Sequence, residues 1–155
     1  MKKSFLSLCV AVALGSVTMA HAQEDKEIRI GVINPLSGLS KDIGFAAKAG
    51  ASLAAAEINA RGGINGRKIV LVSYDDKGSP DHAVKVAEEA IKTGRLHAVL
   101  GSVNTGVAVK TMPLFQAAAL PTMITSTIGS LPAVLTNDYK EPVNYIFRSQ
   151  PPDYA

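Results

Sequence analysis

The feature that most constrains this chain is a threefold alternation of short apolar runs with longer stretches of helical spacing. Ile28-Arg29-Ile30-Gly31-Val32-Ile33 is dense in β-branched residues and ends at Asn34-Pro35, which reads as a strand entering a Ser/Gly loop. Lys68 to Tyr74, Ala98-Val99-Leu100 and Leu120 to Thr125 read as the next three strands, and Tyr145-Ile146-Phe147-Arg148 as a fifth. These runs are mainly apolar rather than alternating, as expected of parallel strands buried on both sides. The expected fold is α/β: three layers, with a mainly parallel sheet and helices on both faces.

The helices are signalled by spacing and by their ends. Between Asp42 and Ala60, Phe45, Ala49, Leu53, Ala56 and Ala60 recur at intervals of three and four, and Gly62-Gly63 supplies a stop. The small residues Ala46, Ala49, Gly50 and Ala54 are expected to let this helix lie close to the sheet. Asn65-Gly66 predicts a tight turn into the second strand. Ser79 is a suitable N-cap, Pro80 suits the first helical position, and Asp81 complements the dipole. The stripe Ala83, Val84, Ala87, Ala90, Ile91 follows and Gly94 ends it. A third helix is expected from about Gly106 to Ala118, kinked at Pro113, because an interior proline removes a backbone bond.

Residues 1–22 carry Lys2 and Lys3, the apolar run Phe5 to Leu14 and the small-x-small site Ala20-His21-Ala22. This is the pattern of a cleavable secretory signal peptide, too short for a membrane anchor. The chain's formal charge of +3 owes two units to that segment, so its basicity implies no nucleic-acid partner. The single cysteine, Cys9, also lies there, which leaves the exported part without disulfides or thiol chemistry. At 47% hydrophobic and 19% charged, the chain is expected to fold around a core.

Several chemistries are excluded by inspection. The sequence has neither a Gly-x-Ser-x-Gly elbow nor a phosphate loop ending in Gly-Lys-Ser/Thr. The first strand leads to Asn34-Pro35-Leu36-Ser37-Gly38 rather than a dinucleotide fingerprint. His82 and His97 lack the spacing of zinc ligands and read as surface or boundary residues. Asp75-Asp76 is the carboxylate pair that stands at a strand end, after the second strand. It reads as the cap of the turn before Ser79-Pro80, and an enzyme working through it is the weakest reading.

Small polar residues remain at three strand ends: Ser37-Gly38, Val103-Asn104-Thr105-Gly106 and Thr125-Ser126-Thr127. In a doubly wound sheet such loops converge on one edge. Hydroxyls beside the free N–H groups of a helix N-terminus suit a carboxylate. Taken singly, Thr105 reads as an N-cap and Thr125 to Thr127 as a loop, since Ser/Thr caps are common, and it is export, the lack of catalytic groups and convergence together that favour ligand binding.

Three segments carry a resemblance. They are Ile30-Gly31-Val32-Ile33-Asn34-Pro35-Leu36-Ser37-Gly38, then Ala55-Ala56-Glu57-Ile58-Asn59-Ala60-Arg61-Gly62-Gly63-Ile64-Asn65-Gly66-Arg67, then Tyr74-Asp75-Asp76. In this order and spacing they resemble the periplasmic substrate-binding proteins of branched-chain amino-acid ABC transporters. The resemblance implies two α/β lobes closing on a ligand like a hinged trap, of which this chain supplies the first. It implies a signal peptide at 1–22, an N-terminal ligand-binding lobe at 23–140 and a crossover segment at 141–155, where Arg148-Ser149-Gln150-Pro151-Pro152-Asp153 heads toward a second lobe that the chain lacks.

The resemblance also implies that Thr105, flanked by Asn104 and Val103, holds the ligand's α-carboxylate. Thr125, Ser126 and Thr127 add contacts, and Ser37 borders the pocket. Ile43 stands where relatives often have an aromatic residue, which implies a different side-chain preference or another carboxylate ligand. The expected partners are a small amino acid or carboxylate and an ABC permease in the inner membrane. A periplasmic monomer without cofactor or metal is expected. An extracellular sensor domain of the same fold is the alternative.

Overall fold

The computed structural model describes residues 26–125 and 144–149. The elements run β1 (Glu27–Asn34), α1 (Lys41–Ala60), β2 (Lys68–Asp75), α2 (Pro80–Thr93), β3 (Ala98–Leu100), α3 (Thr105–Ala117), β4 (Thr122–Ile124) and β5 (Ile146–Arg148). They form one five-stranded sheet, ordered β2-β1-β3-β4-β5, in which every neighbouring pair is parallel. The expected architecture is thus observed. The proposed signal segment lies outside the described residues.

The chain leaves β1 in one direction to reach β2 and afterwards progresses the other way, so the winding reverses between β1 and β3. Right-handed crossovers then put α1 on one face and α2 and α3 on the other. On the second face Ile33, Val99, Ile124 and Ile146 pack with Val86, Ala87 and Ala90 of α2 and with Ala108, Met112 and Phe115 of α3. The α2 signals hold in detail. Ser79 caps the helix by accepting the His82 N–H, Pro80 opens it, and Gly94 closes it.

The sheet-facing side of α1 is not the one its spacing suggested. Gly44 and Ala55 are its buried residues, whereas Phe45 and Leu53 are 50% and 64% exposed. Gly44 marks the closest approach to the loop after β1, since a Cβ there would stand 1.8 Å from the Pro35 carbonyl oxygen. A helix this rich in alanine is apolar on more than one side, and three-four spacing does not tell which side meets the sheet. Helix α1 packs on β1 and β2. On the same face the register aligns Leu100 with Met123 and Met123 with Phe147, and Phe147 is 49% exposed.

The link from α1 to β2 follows its glycines. Ile64 and Arg67 exchange both backbone hydrogen bonds across Asn65 and Gly66, which have φ of 52° and 78°. That is the geometry for which Asn-Gly is suited. Helix α3 runs through Pro113 to Ala117. The carbonyl that Pro113 leaves unpaired belongs to Val109, an exposed residue, where water can take it.

Candidate functional site

The candidate site lies at the carboxyl ends of the strands beside the winding reversal, where loops from both halves of the sheet meet. The β1–α1 loop is fastened by Asp75. Its Oδ1 accepts the Leu36 N–H at 2.8 Å and the Lys77 N–H at 2.8 Å, and its Oδ2 accepts the Ser37 hydroxyl proton at 2.6 Å. Burial would raise the Asp75 carboxyl, but the bonds from Ser37, Lys77 and Leu36 outweigh it and hold the group below its ordinary range.

Asp76 has the opposite surroundings. It is fully buried; Oδ1 accepts the Gly78 N–H at 2.7 Å, and Oδ2 meets no donor among the described residues. Burial pushes its carboxyl up, the Asp75 charge adds to this, and the Gly78 N–H and His82 oppose it. Its backbone N–H continues the β1–β2 ladder by donating to the Asn34 carbonyl at 3.2 Å. Asn34 is buried too, with Oδ1 unpartnered among the described residues.

The turn that follows β2 touches the start of α3. A Cβ added at Gly78 would stand 3.1 Å from Asn104 Nδ2 and 3.9 Å from both Pro35 and Ser40. With φ of +67°, Gly78 suits this crossing twice, by its backbone freedom and by its lack of a side chain. A Cβ at Gly106 would stand 3.3 Å from Pro80, so α3 and α2 begin side by side. Asn104 occupies the N-cap position of α3, yet its side chain makes no capping bond, which leaves that task for another acceptor. Val103 is buried, and Asn104 and Thr105 are half-buried.

The structure thus brings Ser37 and Asn104 to one edge, with Val103 and Thr105 adjoining. Thr125 follows β4, paired with β3, and its Oγ1 is buried without a partner among the described residues. Ile43 lies exposed in the first turn of α1. Ser126 and Thr127 fall outside the described residues. Sequence reasoning read Asp75 as a turn cap, which its bond to Lys77 bears out, but missed its hold on Leu36 and Ser37. It also missed Gly78, whose only signal was the Asp-Lys-Gly-Ser-Pro turn composition. Among the described residues no group of three or more His, Cys, Asp or Glu is gathered, and no helix is long and apolar enough to cross a membrane.

The family described as periplasmic binding protein matches residues 27–155. The chain belongs to that family. It is 36% identical over 118 residues to the Leu/Ile/Val-binding protein homolog 2 of Brucella abortus, covering 74% of this chain and 30% of that protein. A branched-chain amino acid transporter substrate binding protein of Streptococcus pneumoniae, solved with isoleucine, superposes with a TM-score of 0.73 at 29% identity, over 83% of this chain and 35% of that one. A solute binding protein of Rhodopseudomonas palustris in complex with 4-hydroxybenzoate gives 0.65 at 25% identity, over 79% and 31%. The chain therefore spans about a third of the length of these relatives.

Proposed function

We propose that this chain is the first lobe of a periplasmic solute-binding protein that holds a branched-chain amino acid, or a related small carboxylate, for delivery to an ABC permease. The observation that carries the reading is the convergence of the β1–α1, β2–α2 and β3–α3 loops where the winding reverses, with the start of α3 left uncapped by Asn104. The family match and the isoleucine and hydroxybenzoate complexes of its relatives support it. Residues 1–22 act as the export signal, and the mature protein works as a monomer.

The mechanism makes and breaks no covalent bonds. The first-turn N–H groups of α3 and the Thr105 hydroxyl replace the hydration of a carboxylate, aided by the positive end of the helix dipole. Asn104 and Val103 shape the floor. Thr125 closes the β4 side, Ser126 and Thr127 add carboxylate contacts, and Ile43 offers an apolar rim. Closure of a second lobe over this edge excludes water and strengthens those contacts.

An amide-resolved NMR titration of the full chain with L-isoleucine, L-leucine and 4-hydroxybenzoate tests the proposal. Saturable shifts at Asn104 to Val107 and at Thr125 are expected. Shifts elsewhere only, or none with any of the three, would refute it.

A further inference from the structure

The two adjacent carboxylates at the end of β2 do different work, and the outer one reaches across the site. Asp75 takes two donors from the β1–α1 loop, 39 and 38 residues away in sequence, and one from its own turn. Bonds to an ionised carboxylate are stronger than neutral ones, so three of them fix two loops against each other. Asp76 holds the same turn from inside through the Gly78 N–H. Gly78 in turn lies against Asn104 Nδ2, at the residue from which α3 starts. Asp75 is therefore joined through one short turn to the helix end proposed to hold the carboxylate.

The Ser37 hydroxyl has one proton, and it lies on Asp75 Oδ2 at 2.6 Å. While that bond stands, Ser37 has no proton to give to a carboxylate, and a second anion beside Asp75 would meet its charge.

We infer that Asp75 is the positioning residue of the ligand edge, and that Ser37 serves that edge as the other half of a clamp rather than as a carboxylate donor. This rests on the function proposed above. It assigns to the Tyr74-Asp75-Asp76 segment the task of setting where the Lys77–Ser79 turn, and with it Asn104, stands before ligand arrives.

The test uses the full chain and the variants Asp75→Ala, Asp75→Asn, Ser37→Ala and Ser37→Ala/Asp75→Asn. In ligand-free protein, Asp75→Ala should speed hydrogen exchange at the Leu36 and Lys77 N–H groups about tenfold or more and shift the Asn104 side-chain amide resonances. Affinity for L-isoleucine or 4-hydroxybenzoate should fall about tenfold in Asp75→Ala. The double variant should bind no more weakly than Asp75→Asn, because Ser37 and Asp75 act as one unit. Unchanged Asn104 resonances and affinity in Asp75→Ala would overturn the inference. So would additive losses in the double variant, which would make Ser37 a direct ligand contact. Silence of the wild type toward both probes would refute the binding reading instead, and the exchange rates and Asn104 resonances would still decide the clamp.

Discussion

The side-chain amide of Asn59 grips the backbone of Ile69 in both directions. Asn59 Nδ2 donates to the Ile69 carbonyl at 2.8 Å, and the Ile69 N–H donates to Asn59 Oδ1 at 2.7 Å. Strand β2 is the outermost strand on its side of the sheet, and the Lys68 N–H, next to Ile69, points inward to the Lys26 carbonyl. The groups of Ile69 consequently point outward, where no strand partner lies among the described residues, and Asn59 stands in for one.

Replacing Asn59 by alanine should leave both groups of the buried Ile69 unpaired and destabilise the fold by about 2–3 kcal/mol. Asn59→Asp keeps the acceptor and loses the donor, so an intermediate loss is expected. In urea unfolding the midpoint should drop while the slope stays constant, since the same surface is exposed.

The α1 helix offers a sharper contrast. Gly44→Ala would drive a Cβ to 1.8 Å from the Pro35 carbonyl oxygen, so the helix must lift from β1 at a cost of about 2 kcal/mol or more. Gly50 has nothing within 4 Å of an added Cβ, and Gly50→Ala should stabilise by about 0.5–1 kcal/mol through helix propensity alone. Leu53→Lys should change stability by less than about 0.5 kcal/mol, because Leu53 is exposed. A large loss at Leu53 with none at Gly44 would restore the face inferred from spacing.

That contrast also marks how far the sequence could be read. Apolar strands, the Ser79-Pro80 helix start and the Asn65-Gly66 turn are local signals, and the strands, α2 and the turn appear where those signals lie. The strand ends bearing Ser37 and Asn104 followed from the alternation, because doubly wound sheets gather their loops on one edge. The face of α1 was illegible because alanine is apolar without being committed to burial. The clasp of Asp75 on Leu36 and Ser37, and that of Asn59 on Ile69, were illegible for another reason. A polar side chain that bonds a backbone group on another element leaves no periodic trace in sequence.

The two carboxylates predict opposite responses to acid. The Asp75 carboxyl is depressed in the fold, so its stabilisation is complete above the unfolded value of about 3.9 and is lost as pH falls through its lower folded value. Asp76 is raised, so the native state binds more protons and its burden is fully present above its folded value. Lowering pH from neutrality should relieve Asp76 first, until about pH 4, and release Asp75 only below that. Urea midpoints of wild type and Asp76→Asn, compared across pH 7 to 3.5, should therefore converge on a relative gain for the wild type toward acid. A flat difference would mean that Asp76 titrates as it does in the unfolded chain.

The affinity of the chain by itself follows from the share of the site it carries. It spans about a third of its relatives' length, and in the function proposed above the other wall of the site belongs to a second lobe. A ligand held on this edge as proposed would keep one side in water, so the amides of α3 and the Thr105 hydroxyl would compete with solvent at high dielectric. The loss of translational freedom on binding is nevertheless charged in full. Binding of L-isoleucine to the 155-residue chain should accordingly be weak, with Kd of about 1 mM or above, or about −4 kcal/mol. Thr105→Val should weaken it further without lowering the melting temperature by more than a few degrees, since Thr105 is half-buried at a helix start. Nanomolar affinity in a calorimetric titration would mean that the edge described here binds without a second wall, and that the carboxylate subsite is far better enclosed than its loops suggest.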